Sequence, residues 1–331
     1  MRVAVVGVGH LGRIHARILA RSPRAELVCV VDADDARARE VAAELGCKAL
    51  GGIEDLPRDI DAAIVAVPTS AHESVAVPLL RRGIACLVEK PLAPDLAAAD
   101  RILASAEQGR SCLAVGHVER FEPGVRKLAE LAVEPRFIEC HRLSTFRFRG
   151  LDVGVVHDLM IHDLDLVLHF VDSEVQSLDA SGGSILTDSV DLASVHLVFE
   201  NGARANVTAS RVSLTPMRRF RLFSASSYVS LDFTKNYGLV VKKGPGWEKG
   251  REELRSMDPA ELAKRENFVN GELLDVSELE LEGLEQPLQA ELDSFLRGVD
   301  SGAEPEVTGL DGRRALALAE KITSAIHAQS W

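Results

Sequence analysis

The chain has 331 residues with 46% hydrophobic and 5% aromatic content, an ordinary globular composition with room for two full cores. Its net charge of −12 argues against nucleic acid or an anionic membrane surface as a general partner. No apolar stretch is long enough to span a membrane, and the N-terminal run is too short, and too soon broken by glycines, Arg13 and Arg17, for a signal peptide.

Residues 2–8 are apolar and end in Gly7-Val8-Gly9-His10-Leu11-Gly12, with a helix-patterned stretch at once after. Strand, glycine turn and helix in that order form a dinucleotide fingerprint. Gly7 permits the tight turn, Gly9 lets backbone approach a pyrophosphate, and Gly12 lets the helix pack close on the strand. His10 and Leu11 complete the turn at a helix N-terminus, where free N–H groups favour an anion. The next strand, Leu27–Val31, ends in Asp32, placed to bind the adenosine ribose hydroxyls and to repel the 2′-phosphate of NADP. The cofactor expected is therefore NAD rather than NADP, with Arg37 expected on the exposed face of the following helix.

Helix signals cover Asp34–Leu45, stopped by Gly46, and Ser70–Arg82, stopped by Gly83; a third helix follows Pro94 and ends at Gly109. Between them lie Ala62–Val67, Ile84–Val88 and Cys112–Val115, apolar throughout as parallel strands covered on both faces must be. The alternation predicts a doubly wound parallel sheet. Pro68, Thr69 and His72 follow one of these strands and should border the nicotinamide side of the cofactor, His72 being equally readable as a helix start. Glu89 and Lys90 stand at the C-terminal end of another, where ligands bind in such sheets, and both are expected to contact the cofactor. A lysine there can donate to a substrate hydroxyl and favour a developing oxyanion. Pro91 biases it toward an extended backbone.

After His117 the pattern changes. Residues 136–149 and 175–243 carry alternating, β-branched-rich runs separated by turns such as Glu200-Asn201-Gly202, which predicts a largely antiparallel sheet with a solvated face. A helix around Met160–Val171 interrupts it, residues 244–285 give no clear pattern, and helices over Pro287–Val299 and Gly309–Ala328 close the chain. The five cysteines, at 29, 47, 86, 112 and 140, sit in or beside apolar runs without CxxC, the pattern of reduced thiols in a cytoplasmic protein.

Within Val155–Asp165, polar groups punctuate an apolar helix, and Asp158 and His162, four apart, share one helical face. A carboxylate beside an imidazole can orient it and stabilise its protonated form, suiting it to take a proton from an alcohol near neutral pH. Asp158 could instead cap the helix, with Asp163 and Asp165 as ordinary polar positions. His157, Asp158, His162, Asp163 and His169 could in principle ligate a metal, but HExxH spacing is lacking and no metal is expected. Arginines gather in the later sheet (Arg142, Arg147, Arg149, Arg211, Arg218, Arg219, Arg221); guanidinium forks suit a diphosphate, and equally suit pairing with surface carboxylates.

With these residues in place, the chain resembles the Gfo/Idh/MocA family of NAD(P)-dependent sugar and polyol dehydrogenases over essentially its full length. The shared pattern is the N-terminal GxGxxG, Ala66-Val67-Pro68-Thr69-Ser70-Ala71-His72, then Glu89-Lys90-Pro91, and the Asp-x-x-x-His of Asp158 and His162. The resemblance implies a catalytic Lys90, Asp158 and His162, and a Rossmann domain (1–119) followed by an α+β domain on an open, mostly antiparallel sheet (120–331). It also implies a homodimer or homotetramer. Val115–Pro123 and Asp158–Asp163 are similar to the family's UDP-N-acetylglucosamine 3-dehydrogenase branch, whose members oxidise the sugar C3 hydroxyl so that an aminotransferase can install an amine for lipid A. Val155-Val156-His157 departs from the glycine-rich lead-in common in the family. Arg120, Arg149, His157 and Arg211 are then candidate substrate contacts. Alternatives are a dehydrogenase of a free sugar or polyol such as inositol, a non-catalytic NAD sensor, and a metal-dependent hydrolase.

Overall fold

The computed structural model describes residues 1–146, 153–258 and 273–329. Six short runs, β1 (Arg2–Val6), β2 (Glu26–Val31), β3 (Lys48–Leu50), β4 (Ala62–Val65), β5 (Ala85–Glu89) and β6 (Leu113–Gly116), form a sheet in the order 3-2-1-4-5-6. Every pairing in it is parallel. Strand order reverses between β1 and β4, which opens a crevice at their carboxyl ends. Helices α1 (His10–Leu19), α2 (Asp35–Leu45), α3 (His72–Arg81) and α4 (Leu96–Gly109) are the crossovers.

Their ends follow local chemistry. Asp34 caps α2 by accepting from the Arg37 amide, and Gly46 ends it in the left-handed region at φ +71°. Asp95 caps α4 through the Ala98 amide. The helix expected from Ser70 begins instead with a 3₁₀ turn over Thr69–Ala71. Alternate strand residues enter two apolar layers, Ala4, Val6, Cys29 and Val65 on one side of the sheet and Val3, Val5, Val30 and Ile64 on the other. That is why these strands read as unbroken apolar runs.

The second part opens with α5 (Pro123–Glu130) and β7 (Phe137–Leu143). A π-helical turn over Val156–Met160 runs into α6 (Ile161–Val171). There follow β8 (Val175–Gly183), β9 (Leu192–Phe199), β10 (Arg204–Ser210), β11 (Met217–Phe223), β12 (Ser227–Asp232) and β13 (Tyr237–Lys243). The stretch without clear sequence pattern supplies α7 (Trp247–Ser256) and β14 (Leu274–Glu278). The eight strands order as 14-13-12-11-7-10-9-8 and are antiparallel except for the β7–β10 pair. Ile138, Cys140, Val195, Leu197, Val207 and Phe220 point inward and alternate with half-buried polar neighbours.

Two helices close the chain, α8 (Pro287–Ser301) and α9 (Gly309–His327). The chain forms two compact units, Met1–Phe121 with Glu285–Lys321, and Glu122–Leu284 with Ile322–Trp331. This differs from the linear division at 119/120 expected from sequence. Burial is the cause: Leu292, Phe295 and Leu296 of α8, each 1% exposed, complete the layer built on Val3, Val5 and Ile64.

Candidate active site

The glycine turn has the geometry its composition implies. Gly7 takes φ +84°, and a Cβ there would lie 2.7 Å from the Ala66 backbone. At Gly12 a Cβ would come 1.8 Å from the Gly7 carbonyl oxygen, so only glycine lets α1 start this close to β1. Gly9 differs, since a Cβ there would meet nothing within 4 Å. It faces a cleft of about 650 Å³ lined also by Gly7, Asp32, Arg37, Pro68 and Ser74. His10 and Leu11 are exposed at the first turn of α1. Open space over Gly9, a helix N-terminus and an acidic residue at the end of β2 fit a dinucleotide.

Asp32 is already well bonded. One carboxylate oxygen accepts from the Val8 amide and the other from the Asp34 amide, each at 2.9 Å. Arg37 is exposed on α2, as expected, and its Nη1 also lies 3.3 and 3.4 Å from the two Asp32 oxygens, on the wall of the cleft.

At the end of β5 the roles separate. Lys90 is half-buried, and the peptide bond to Pro91 is cis. Glu89, expected to contact cofactor, points into the protein: it accepts from His15 Nε2 at 2.7 Å and from the Lys90 amide at 3.3 Å. His72 is also an internal brace. Its Nδ1 lies 3.0 Å from the Pro91 carbonyl and its Nε2 3.0 Å from that of Val67, with the ring 1% exposed. Burial lowers its pKa, against the opposing pull of the Leu92, Val67 and Pro91 carbonyls. Pro68 lines the cleft, and Thr69 opens the 3₁₀ turn beside it.

In the second unit, Asp158 sits within the π-helical turn and His162 one residue into α6, both half-buried. Their spacing crosses a change of helix type, so the simple α-helical face does not carry through; such turns recur at functional sites. His157 is half-buried, and burial lowers its pKa. Asp163 makes a buried two-pronged pair with Arg142, at 2.8 and 2.9 Å. Asp163 is thus a buried structural partner of Arg142.

The arginines are engaged in turn by carboxylates: Arg218 by Glu122 at 3.0 Å, Arg219 by Asp232 at 3.5 Å and Arg221 by Glu139 at 2.7 Å. Arg211, expected at substrate, is buried and holds the Val153 carbonyl and Asp191, the latter at 3.7 Å. Since the Val155 amide donates to the Val190 carbonyl at 2.8 Å, Arg211 braces the entrance to the Asp158 turn. Arg120, in the first unit, is largely buried 3.6 Å from Asp311. Arg147 and Arg149 lie outside the described residues.

Sequence reasoning missed His15 and Glu291. Among the described residues, these two and Glu89 bring one nitrogen or oxygen atom each within 4.8 Å of one another. The available signal was a histidine in the apolar face of α1 and a glutamate in that of α8.

Comparison with known proteins agrees with this fold. A family model described as an oxidoreductase family with an NAD-binding Rossmann fold matches residues 1–117, and one for the GFO/IDH/MocA C-terminal domain matches residues 99–225. The chain is 36% identical to a UDP-N-acetylglucosamine 3-dehydrogenase of Acidithiobacillus ferrooxidans, over 99% of this chain and 98% of that one. A solved structure of that enzyme superposes with TM-score 0.87 at 34% identity, covering 99% of this chain and 98% of the other. A myo-inositol 2-dehydrogenase of Thermotoga maritima is 27% identical over 96% of this chain and 94% of its own length. The chain belongs to the Gfo/Idh/MocA family of NAD-binding oxidoreductases.

Proposed function

We propose that the chain oxidises a sugar hydroxyl, C3 of UDP-N-acetylglucosamine, to the 3-keto sugar with NAD. The observation that carries this reading is 36% identity over 99% of the chain to an enzyme with that name. NAD, when bound, accepts the hydride from the sugar carbon. The turn at Gly7, Gly9 and Gly12 would hold its pyrophosphate, and Asp32 its adenosine ribose, to the exclusion of a 2′-phosphate. Lys90, at the carboxyl end of β5, donates a hydrogen bond to the reacting hydroxyl and stabilises the oxyanion as the proton leaves. His162 accepts that proton at a ring nitrogen, and Asp158 stabilises the imidazolium. Arg211 acts through the Val153 carbonyl that it holds. A 3-keto sugar is what an aminotransferase needs to install an amine, and on this reading the product is a lipid A precursor.

The test is NAD reduction by the pure enzyme with UDP-N-acetylglucosamine, beside free N-acetylglucosamine and myo-inositol, with a 3-aminotransferase and glutamate trapping the ketone. Turnover with the UDP-sugar alone supports the reading. Turnover with the free sugar or inositol alone keeps the family chemistry and removes the substrate. Lys90→Ala and His162→Ala should each lower kcat by about 10²-fold or more while leaving NAD affinity nearly intact; near-normal turnover in either would remove its assigned role.

A further inference from the structure

Three buried ionisable side chains meet in the first unit at a place the proposed chemistry does not use. His15 on α1 is 0% exposed, Glu291 on α8 2% and Glu89 at the end of β5 7%. One ligand-type atom of each lies within 4.8 Å of the other two. Glu89 is satisfied by His15 and by the Lys90 amide, whereas both Glu291 oxygens are buried with no hydrogen-bond partner. Burial first, and the Glu89 carboxylate second, push the Glu291 carboxyl well above the usual carboxylate range.

Two like charges in such a site require a neutralising proton or cation. The geometry favours the proton. His15 and Glu89 stand 2.7 Å apart, a hydrogen-bond length. Two atoms ligating one tetrahedral zinc at about 2.1 Å would stand roughly 3.4 Å apart. The other charged groups nearby are otherwise engaged: Arg120 with Asp311, Glu306 with the Ser294 hydroxyl, and Arg13 and Arg17 of α1 with Glu40 and Glu44. Glu119 is the remaining buried carboxylate on the 3₁₀ turn Val118–Phe121, which packs against α8, and Lys90 lies beyond Glu89.

We propose that Glu291 is held as the neutral acid and donates a hydrogen bond to Glu89, so that one proton between the two carboxyls fixes Glu89 and, through it, the backbone of Lys90. That bond requires the Glu291 side chain to rotate from the position in which neither of its oxygens has a hydrogen-bond partner. Glu291 is thus a positioning residue, and its effect on turnover rests on the role given to Lys90 above. Because the fold favours the protonated form, the native protein keeps a proton that the unfolded chain gives up above its usual carboxyl pKa of 4.5. Stability therefore falls as pH rises beyond that value.

Melting temperatures of the wild type and Glu291→Gln from about pH 5 to about pH 8.5 read this directly. Gln mimics the neutral acid, so the difference in its favour widens with pH. A constant difference, a wild type that gains relative to Gln with pH, or a Gln variant that does not fold overturns the proposal. So does a stoichiometric divalent metal in the purified protein, found by elemental analysis. These readouts are independent of substrate. For turnover, Glu291→Gln should stay within roughly threefold of wild type, and Glu291→Met, of similar size without a donor, should lose about tenfold or more in kcat with KM nearly unchanged. Equal turnover of the two variants overturns the positioning role, whereas failure of the Lys90 assignment itself shows separately, as turnover retained by Lys90→Ala.

Discussion

The Asp32 carboxylate meets the Val8 amide, the Asp34 amide and the Arg37 guanidinium within its own unit. A single carboxylate therefore holds a guanidinium at the cleft wall while opposing any phosphate near it. Asp32→Asn removes the charge and keeps an acceptor for one of the two amides, leaving Arg37 available to a 2′-phosphate. The expected result is an NADP-to-NAD affinity ratio raised by roughly tenfold or more. Titration of both cofactors checks it; an unchanged ratio would mean that Asp32 does not set the cofactor preference. The turn geometry of the three glycines and the place of Asp32 at the end of β2 were readable because both are local to a strand–turn–helix unit. The internal bonds of Glu89 and His72 were not readable, for the converse reason, although His72 does begin α3, as one of its two readings had it. Their partners, His15 and the Val67 and Pro91 carbonyls, come from other elements, and spacing along the chain carries no record of them.

At the level of elements, the turn between β8 and β9 shows how one buried charge organises a segment. Asp191 accepts from the amides of Ile185, Leu186 and Thr187 and from the Thr187 hydroxyl. Burial alone would raise its pKa; these bonds outweigh that and hold it at about 2, below the usual 3.8. A depressed pKa means stabilisation that is full above about pH 4 and is lost as the pH falls toward about 2, worth about 2 kcal/mol. Asp191→Asn should lower stability by about that amount near neutral pH and flatten the acid limb of the stability curve. Denaturant melts at pH 7 and pH 3 test it, and an undiminished acid limb would assign the loss elsewhere. Through Arg211 this turn also bears on the Asp158 segment. The sequence located that helix by its apolar periodicity. It could not show that the helix begins with a π-helical turn, because an inserted turn leaves the composition unchanged.

Over the whole chain, the first unit is discontinuous in sequence. Its second apolar layer needs Leu292, Phe295 and Leu296, and its first takes in Ala290, Val307 and Leu316. Deleting several fully buried large side chains costs more than a typical domain's margin of stability. A fragment of residues 1–121 should therefore fail to give a cooperative melt or bind NAD, and fusing residues 285–321 to it through a flexible linker should restore both. A fragment that melts cooperatively by itself would show the C-terminal helices to be dispensable. The fingerprint, the parallel strands, the alternating sheet and the family were all determined by the sequence alone, since each follows from short-range backbone preference or from periodicity in burial. The tertiary structure alone decided that the last helices return to the first unit, that Arg142 and Arg211 serve Asp163 and Asp191, and that His15, Glu89 and Glu291 meet. Those pairings depend on which buried charges the packed cores bring within a few ångströms, and residues 276 positions apart, as His15 and Glu291 are, share no local pattern that could announce it.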